Sequence, residues 1–155
     1  MTHIPALVLA SLIAVTTQFP QTALAADPAQ TDPDGISRPA GDLELDSFLW
    51  TARPIVVFAD SPADPRFLQQ IELLQDGVAM LADRDVVVLT DTDPDARTPI
   101  RMKLRPRGFQ MVLVDKDGGV KLRKPHPSSV REITRSIDKT PMRQREVEER
   151  REENR

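Results

Sequence analysis

Three short apolar runs, each bounded by turn-forming residues, constrain the fold of this 155-residue chain more than any other feature. The runs are "PIVVFA" from Pro54, "DVVVLT" from Asp85 and "FQMVLV" from Phe109. Runs of this length that are rich in β-branched residues indicate strands buried on both faces of a sheet. A fourth segment, "VKLRK", alternates in polarity as an edge strand does, and the preceding "DKDGG" favours a tight hairpin turn. The sequence therefore predicts a four-stranded mixed sheet.

The segment after the first strand has the pattern of a helix with one buried face. Asp64 followed by Pro65 is a typical helix start, with an N-cap acceptor and Pro at the first helical position. Apolar residues then recur every three or four positions, at Phe67, Ile71, Leu74, Val78 and Leu81. Gly77 interrupts this stripe, so we expect a kink or a split in the helix there.

Three further helices complete the predicted order. A short helix is expected around Leu45 and Phe48, and another from Thr98 and Pro99. The last helix begins with a capping box of Ser129 and Glu132. The order is then (α)βαβαββα, and strands joined through a helix are parallel with a right-handed crossover. This is an α/β arrangement of the thioredoxin-like type, a four-stranded mixed sheet flanked by helices.

The two ends of the chain differ from this central part. Residues 1–25 contain the apolar run "IPALVLASLIAV" and no Asp, Glu, Lys or Arg, and the small residues "ALA" stand just before Ala26. This is the pattern of a signal peptide, although basic residues are missing from its start. The run is too short to span a bilayer. We expect cleavage after Ala25, a periplasmic or secreted protein, and no stable membrane span. The alternative is a buried N-terminal helix. Residues 26–41 are predicted to be a flexible leader, 42–141 the domain, and 142–155 a solvated or frayed helical tail.

Composition excludes several classes of function. The chain contains no Cys, which removes thiol–disulfide exchange, cysteine peroxidase chemistry and thiolate metal sites. A net charge of −3, with no Tyr and one Trp, argues against nucleic acid as a partner. The only His outside the predicted signal peptide is His126, so a His-rich metal site or a Ser-His-Asp triad has no support.

Several stretches together resemble the family called domain of unknown function 4174. They are "PIVVFADSPADPRFLQQ", "RDVVVLTDTD", "GFQMVLVDKDGGVKLRK" and "SIDKTPMRQREVEER", and the resemblance runs from about Leu43 to Arg150. The family is similar to thioredoxin-like and peroxiredoxin-like domains and occurs in bacterial exported proteins and animal extracellular-matrix proteins, with no activity firmly implied. In working thioredoxins the redox cysteines lie where Ser61 to Arg66 lie here, and Gly108 stands roughly where those proteins have a Pro. The resemblance thus implies the fold without its redox chemistry.

The turn from Asp60 to Arg66 is the first candidate binding site. A helix N-terminus suits an anion, so Ser61 and Arg66 could hold an anionic ligand that Asp60 or Asp64 orients. The structural alternative is that Asp64 caps the helix and Arg66 pairs with Asp60 or Asp64. Capping already accounts for both Asp64 and Pro65, which favours this alternative.

A basic band, "RMKLRPR", is the second candidate site. Its cations Arg101, Arg105 and Arg107, with Lys103 between them, could bind an acidic partner or serve only as a solvated face. The preceding "DTDPD" suggests calcium at first sight. However, an EF-hand loop from Asp91 would need Gly and Glu where Ala96 and Met102 stand, so turn-forming Asp residues are the better interpretation.

These observations predict an exported, non-catalytic interaction module that binds through the Asp60–Arg66 turn and the basic band. Its partner would be an unknown protein or a small anionic ligand. No cofactor, metal site or catalytic residue is predicted. Two alternatives stay open: a cysteine-independent enzyme or stress-response activity at the same turn, and a structural protein of the cell envelope.

Overall fold

A computed structural model describes residues 37–155 of the chain. The predicted signal peptide, and the predicted leader up to residue 36, lie outside these residues. The described residues form an α/β domain, and no helix among them is long and apolar enough to cross a membrane.

In the part of the chain that the structure describes, the sheet has five strands rather than the predicted four. They are β1 (Ser37–Pro39), β2 (Arg53–Phe58), β3 (Val86–Asp91), β4 (Gln110–Val114) and β5 (Val120–Lys124), in the spatial order β1-β3-β2-β4-β5. β2 and β3 are parallel, as predicted for strands joined through a helix, and β4 and β5 are antiparallel to their neighbours. This is the thioredoxin-like arrangement with one strand added at its edge.

β1 is the added strand, and it lies at the end of the segment predicted to be a flexible leader. It pairs in parallel with β3, with Ser37 opposite Val88 and Pro39 opposite Thr90. Because an edge strand is held by its backbone, it needs no run of apolar side chains, and Pro is tolerated there. This explains why a search for hydrophobic periodicity does not find it.

Within residues 37–155, five α-helices cover the sheet. They are α1 (Pro65–Gln75), α2 (Val78–Ala82), α3 (Pro99–Leu104), α4 (Val130–Asp138) and α5 (Pro141–Glu153). The split predicted at Gly77 is confirmed, because α1 and α2 are separate helices on either side of it. The predicted first helix is a 3-10 helix over Leu45–Phe48, and a second 3-10 turn covers Pro94–Ala96.

Each face of the sheet carries its own core. On one face, residues of β2, β3 and β4 pack against α1, α2 and α4, with Leu74, Leu81, Ile133 and Ile137 buried. On the other face, the strands pack against the 3-10 helix and α3, with Phe48, Ile100 and Leu104 buried. Burial on both faces is what the unbroken apolar runs of the central strands predict.

The C-terminal helix α5 is docked on the domain and is not a freely solvated tail. Its Arg143 is buried, and its Glu146 bonds to the side chain of Arg53 at the start of β2. Arg150, four residues after Glu146, contacts Asp83 in the loop after α2. The helix therefore packs through charged side chains, which sequence patterns assign to solvent.

Candidate functional site

The predicted binding segments meet at one end of the sheet. β2 and β3 run in parallel and end side by side, with Phe58 opposite Asp91. β4 runs the other way and begins at the same end, with Gln110 opposite Phe58. The turn after β2 and the loop before β4 are consequently neighbours, although more than forty residues of sequence lie between Asp60 and Arg105.

The Asp60–Arg66 turn is held together by its own polar groups. The Asp64 carboxylate accepts the backbone N–H of Arg66 at 2.8 Å and so caps α1. The Arg66 guanidinium donates to the same carboxylate at 3.2 and 2.9 Å. Together these hydrogen bonds lower the pKa of Asp64 below its usual value. Ser61 Oγ accepts the N–H of Ala63 at 3.2 Å. These contacts agree with the structural interpretation of the turn, in which Asp64 caps α1 and Arg66 pairs with Asp64.

Two contacts join this turn to the loop before β4. The Arg66 guanidinium lies 5.4 Å from the centre of the Phe109 ring, within the range of a cation–π interaction, and its side chain is still 53% exposed. On the other side of the turn, Asp60 borders Gly108, where a Cβ atom would lie 3.7 Å from the Asp60 Oδ2. The two predicted segments thus form one continuous surface.

The structure places Arg101 beneath this surface and not on it. Its buried guanidinium donates to Asp91 Oδ1 at 2.7 Å and to the backbone oxygens of Ala59 and Asp91 at 3.0 Å each. It also lies 5.3 Å from the centre of the Phe58 ring. Arg101 therefore ties the ends of β2 and β3 together and is unavailable to a partner.

The Asp residues of the "DTDPD" segment also make structural hydrogen bonds. Asp91 is buried, and it accepts hydrogen bonds from Arg101 and, at 2.6 Å, from the hydroxyl of Thr98. Asp93 accepts the N–H of Asp95 at 3.0 Å and caps the short 3-10 turn. Within residues 37–155, no three His, Asp or Glu side chains are grouped so that they could hold a metal ion.

Arg105 and Arg107 are the exposed members of the basic band. Both lie in the loop between α3 and β4, and neither has an ion pair or side-chain hydrogen bond in the described part of the chain. Arg105 ends α3 in the left-handed conformation, with φ of 49°. Gly108 follows with φ of 59°, which a glycine adopts without strain. The loop that carries these two arginines therefore borders the Asp60–Arg66 turn, at Gly108 and Phe109.

The other cations near the band are engaged elsewhere. Lys103 contacts Asp46 at 2.6 Å, and Arg123 donates to Gln110 Oε1 and to the carbonyl of Leu104. Lys121 pairs with Asp117, and Lys124 pairs with Glu132. Within the described residues, Arg105 and Arg107 thus differ from these neighbours by having no acidic or carbonyl partner.

A second polar cluster, which sequence reasoning missed, lies at the opposite end of the sheet. Arg53 is fully buried and donates to Asp115 at 2.7 Å and to Glu146 at 2.8 Å. Lys116 adds contacts to Glu146 and Asp85. Arg53 directly precedes the apolar run that starts at Pro54, and Asp115 directly follows the run that ends at Val114, which is the one signal in the sequence that could have indicated a buried pair. Because every group in it has a partner, we interpret this cluster as structural.

The solved structures that are similar to this chain include peroxiredoxins. The chain is similar to the reduced 2-Cys peroxiredoxin of Plasmodium vivax, with 18% identity over 62% of this chain and 81% of that one and a TM-score of 0.49. It is also similar to the mitochondrial 2-Cys peroxiredoxin of Plasmodium falciparum, with 17% identity over 62% and 79% of the two chains and a TM-score of 0.42. No curated protein sequence is significantly similar to it.

A family profile gives the more specific result. The profile described as "Domain of unknown function (DUF4174)" matches residues 44–146, which is more than half of the chain. The matched segment begins just before the 3-10 helix at Leu45 and ends within α5, at the Glu146 that contacts Arg53. The chain therefore belongs to the DUF4174 family, as its sequence motifs predicted.

Proposed function

We propose that this domain is a non-redox binding module that recognises an anionic group on a surface formed by Asp60, Arg66, Arg105 and Arg107. We call this the arginine surface. The observation that carries the proposal is that Arg105 and Arg107 are exposed, have no side-chain partner among the described residues, and lie on the loop that borders the Asp60–Arg66 turn. A guanidinium presents a planar fork of N–H donors that matches a carboxylate or a phosphate. The ligand class is therefore an acidic segment of a protein or a small anionic molecule.

The chemistry of the turn favours binding over catalysis. The chain has no thiol, so the nucleophile that this fold uses in redox enzymes is missing. A serine nucleophile needs a neighbouring base that takes its proton. Ser61 Oγ instead accepts a backbone N–H, and Asp64 is held by Arg66. These contacts support a surface that holds a charge without reacting with it.

A thermal-shift experiment tests the arginine surface. We expect phosphate, citrate or a short oligoglutamate peptide to raise the melting temperature of the protein, compared with sodium chloride of equal ionic strength. The shift should vanish in Arg105→Ala/Arg107→Ala. It should persist in Arg145→Ala/Arg155→Ala, which removes two other exposed arginines, both near the C-terminus. A response to the peptide alone would indicate a protein partner, and a response to the small anions alone a small ligand. No shift with any of them would contradict the proposal.

We also propose that the protein is exported to the periplasm or secreted, with cleavage after Ala25. The support is the apolar, uncharged segment over residues 1–25 and its "ALA" end. Mass spectrometry of the protein from separated cell fractions should find a chain that starts at Ala26 outside the cytoplasm. A cytoplasmic chain that begins at Met1 would contradict export and would leave the binding proposal unaffected.

A further inference from the structure

Arg97 is another exposed arginine at the end of the sheet that carries the arginine surface. It lies in the loop between β3 and α3, directly after the 3-10 turn over Pro94–Ala96. Its side chain is exposed and has no ion pair or hydrogen bond in the described part of the chain. Arg97 is therefore available to a ligand, although it is not one of the residues of the basic band.

α3 carries the chain from Arg97 to Arg105 across this end of the sheet. Its start bonds the end of β3 through Thr98, its middle bonds the end of β2 through Arg101, and its last carbonyl accepts from Arg123 of β5. The strands from β3 to β5 lie in the order β3-β2-β4-β5. Arg97 and Arg105 consequently lie on opposite sides of the turn that follows β2, about 12 Å apart at the helical rise of 1.5 Å per residue.

The backbone at both of these arginines is left-handed, with φ of 47° at Arg97 and 49° at Arg105. Glycine adopts this conformation without strain, whereas a residue with a Cβ atom does not. Strained positions of this kind cluster at binding sites, where the side chain is needed for its function. An exposed arginine without a partner at each end of one helix thus points to a ligand that contacts both.

Between the two arginines, the surface of α3 offers no unpaired cation. Lys103 pairs with Asp46 at 2.6 Å, and Arg101 is buried. Asp60 directly follows the residue whose carbonyl accepts a hydrogen bond from Arg101, so it borders the middle of the helix. The middle of a ligand that contacts both arginines therefore meets no free positive charge.

The acidic groups near the two arginines restrict the ligand further. Asp95, two residues before Arg97, is exposed and has no cationic partner among the described residues. Together with Asp60, it would repel a ligand that is acidic along its whole length, because like charges across an interface disfavour binding. A ligand with acidic groups at two separated points avoids this repulsion and still reaches both arginines.

We propose that the ligand of the arginine surface is an extended peptide segment with two acidic residues separated by three uncharged ones, bound by Arg97 at one end and by Arg105 at the other. Residues four positions apart in an extended peptide are about 13 Å apart, which matches the separation of the two arginines. Recognition uses the arginine side chains, because the hydroxyl of Thr98 already caps α3. This inference rests on the proposed function, and it adds Arg97 to the residues of the arginine surface.

Isothermal titration calorimetry of the full protein with three pentapeptides tests the inference. Acetylated and amidated ends leave the side chains as the only charges of each peptide. We expect Glu-Gly-Ser-Gly-Glu to bind about fivefold more tightly than Gln-Gly-Ser-Gly-Glu, because the second contact forms within an existing complex. It should exceed Glu-Glu-Gly-Ser-Gly by a similar factor, since that peptide has the same charge at the wrong spacing.

The variant Arg97→Gln should bind all three peptides with similar affinity, because only one end of the ligand is then held. The matched control is Arg131→Gln, which removes another exposed arginine without an acidic partner, on the helix α4 that packs on the other face of the sheet. This control should prefer the peptide with two separated acidic residues as the wild type does.

Two results would overturn the inference and leave the arginine surface standing: equal binding of the three peptides by the wild type, or a preference that persists in Arg97→Gln. Absence of binding by every peptide would also overturn it, and the response of the melting temperature to phosphate then decides separately whether the arginine surface exists. Circular dichroism checks that the variants are folded. Arg97→Gly, which suits the left-handed backbone, replaces Arg97→Gln if that variant is unfolded.

Discussion

Arg53 donates two hydrogen bonds to Glu146, at 2.8 and 3.2 Å, across 93 residues of sequence. The third arm of the same guanidinium bonds Asp115 at 2.7 Å, and its Nη1 also donates to the carbonyl of Arg84. One buried side chain thus connects the start of β2, the end of β4 and the C-terminal helix. Because α5 has almost no apolar face, this connection and that of Arg143 hold it to the domain.

Replacing Arg53 should destabilise the fold strongly. In Arg53→Leu the carboxylate of Asp115 stays buried without its cation, and breaking a buried pair in this way costs about 3–5 kcal/mol in the free energy of unfolding. Urea unfolding measures the loss. The double variant Arg53→Leu/Asp115→Leu should lose less than the single one, since no unpaired charge remains. Arg145→Leu, on the exposed side of α5, should stay within about 0.5 kcal/mol of the wild type. Equal losses in Arg53→Leu and Arg145→Leu would contradict the role of the cluster.

The same cluster predicts how stability depends on acidity. Burial raises the pKa of Glu146, but hydrogen bonds from Arg53 and Lys116 outweigh it and lower that pKa from 4.5 to about 2. A carboxyl group whose pKa is lower in the folded state stabilises the fold above its unfolded pKa. This contribution is therefore complete above pH 4.5 and is lost as the pH falls towards about 2.

The variant Glu146→Gln isolates this effect from other acidic groups. The free energy of unfolding, measured by urea titration at several pH values, should be higher in the wild type than in the variant at pH 6. The difference should shrink steadily as the pH is lowered through 4.5 towards 2. Glu149→Gln, which lacks an ion pair in the described structure, should follow the wild-type curve. A wild-type advantage that is constant with pH would show that ionisation of Glu146 is not its source.

The strands and helices predicted from sequence are those whose side chains are sorted by polarity. Apolar and polar side chains are segregated in this way in β2, β3 and β4 and in the helical stripe from Phe67 to Leu81. The N-cap residues Asp64 and Ser129 mark where two of the helices begin. β1 could not be predicted in this way, because three edge residues are held by backbone hydrogen bonds to β3.

Charged residues were harder to place, since a charge in sequence gives no direct sign of its partner. The spacing of cations in "RMKLRPR" predicts that Arg101 belongs to an exposed band, but Arg101 is buried and the carboxylate of Asp91 compensates its charge. The α5 segment has no apolar stripe and balances five Arg against five Glu, which predicts a solvated or frayed helix. In the structure Arg143 and Glu146 find partners in segments far away in the chain. Partners at such separations follow only from the topology of the fold.

Gly77, between α1 and α2, lies so close to α4 that a larger residue does not fit there. A Cβ atom at this position would lie 2.6 Å from both Cγ atoms of Val130 in α4. Gly77→Ala should therefore destabilise the protein by about 1–3 kcal/mol, as overpacking of a core does, although Ala favours a helix more than Gly. In the background Val130→Ala the same change should cost less, because the clash is removed. Urea unfolding of the four proteins gives the coupling between the two positions, and additive effects would contradict this explanation.

Arg105 offers a way to separate binding from stability. Its φ of 49° lies in the left-handed region, which costs a residue with a Cβ atom about 1–2 kcal/mol but costs glycine little. Arg105→Gly should therefore leave the free energy of unfolding unchanged or raise it by about 0.5 kcal/mol, with part of the gain offset by the greater freedom of glycine in the unfolded chain. The same variant should weaken the response to anions, because it removes one of the two guanidinium groups of the arginine surface that have no partner among the described residues.

Met102→Gly, in the exposed middle of α3, is the matched control. It should lose about 1 kcal/mol of stability and keep the response to anions. If Arg105 is both strained and part of the binding surface, Arg105→Gly keeps stability and loses anion binding, whereas Met102→Gly loses stability and keeps anion binding. A destabilised Arg105→Gly that still binds anions as the wild type does would contradict both the strain at Arg105 and its place in the arginine surface.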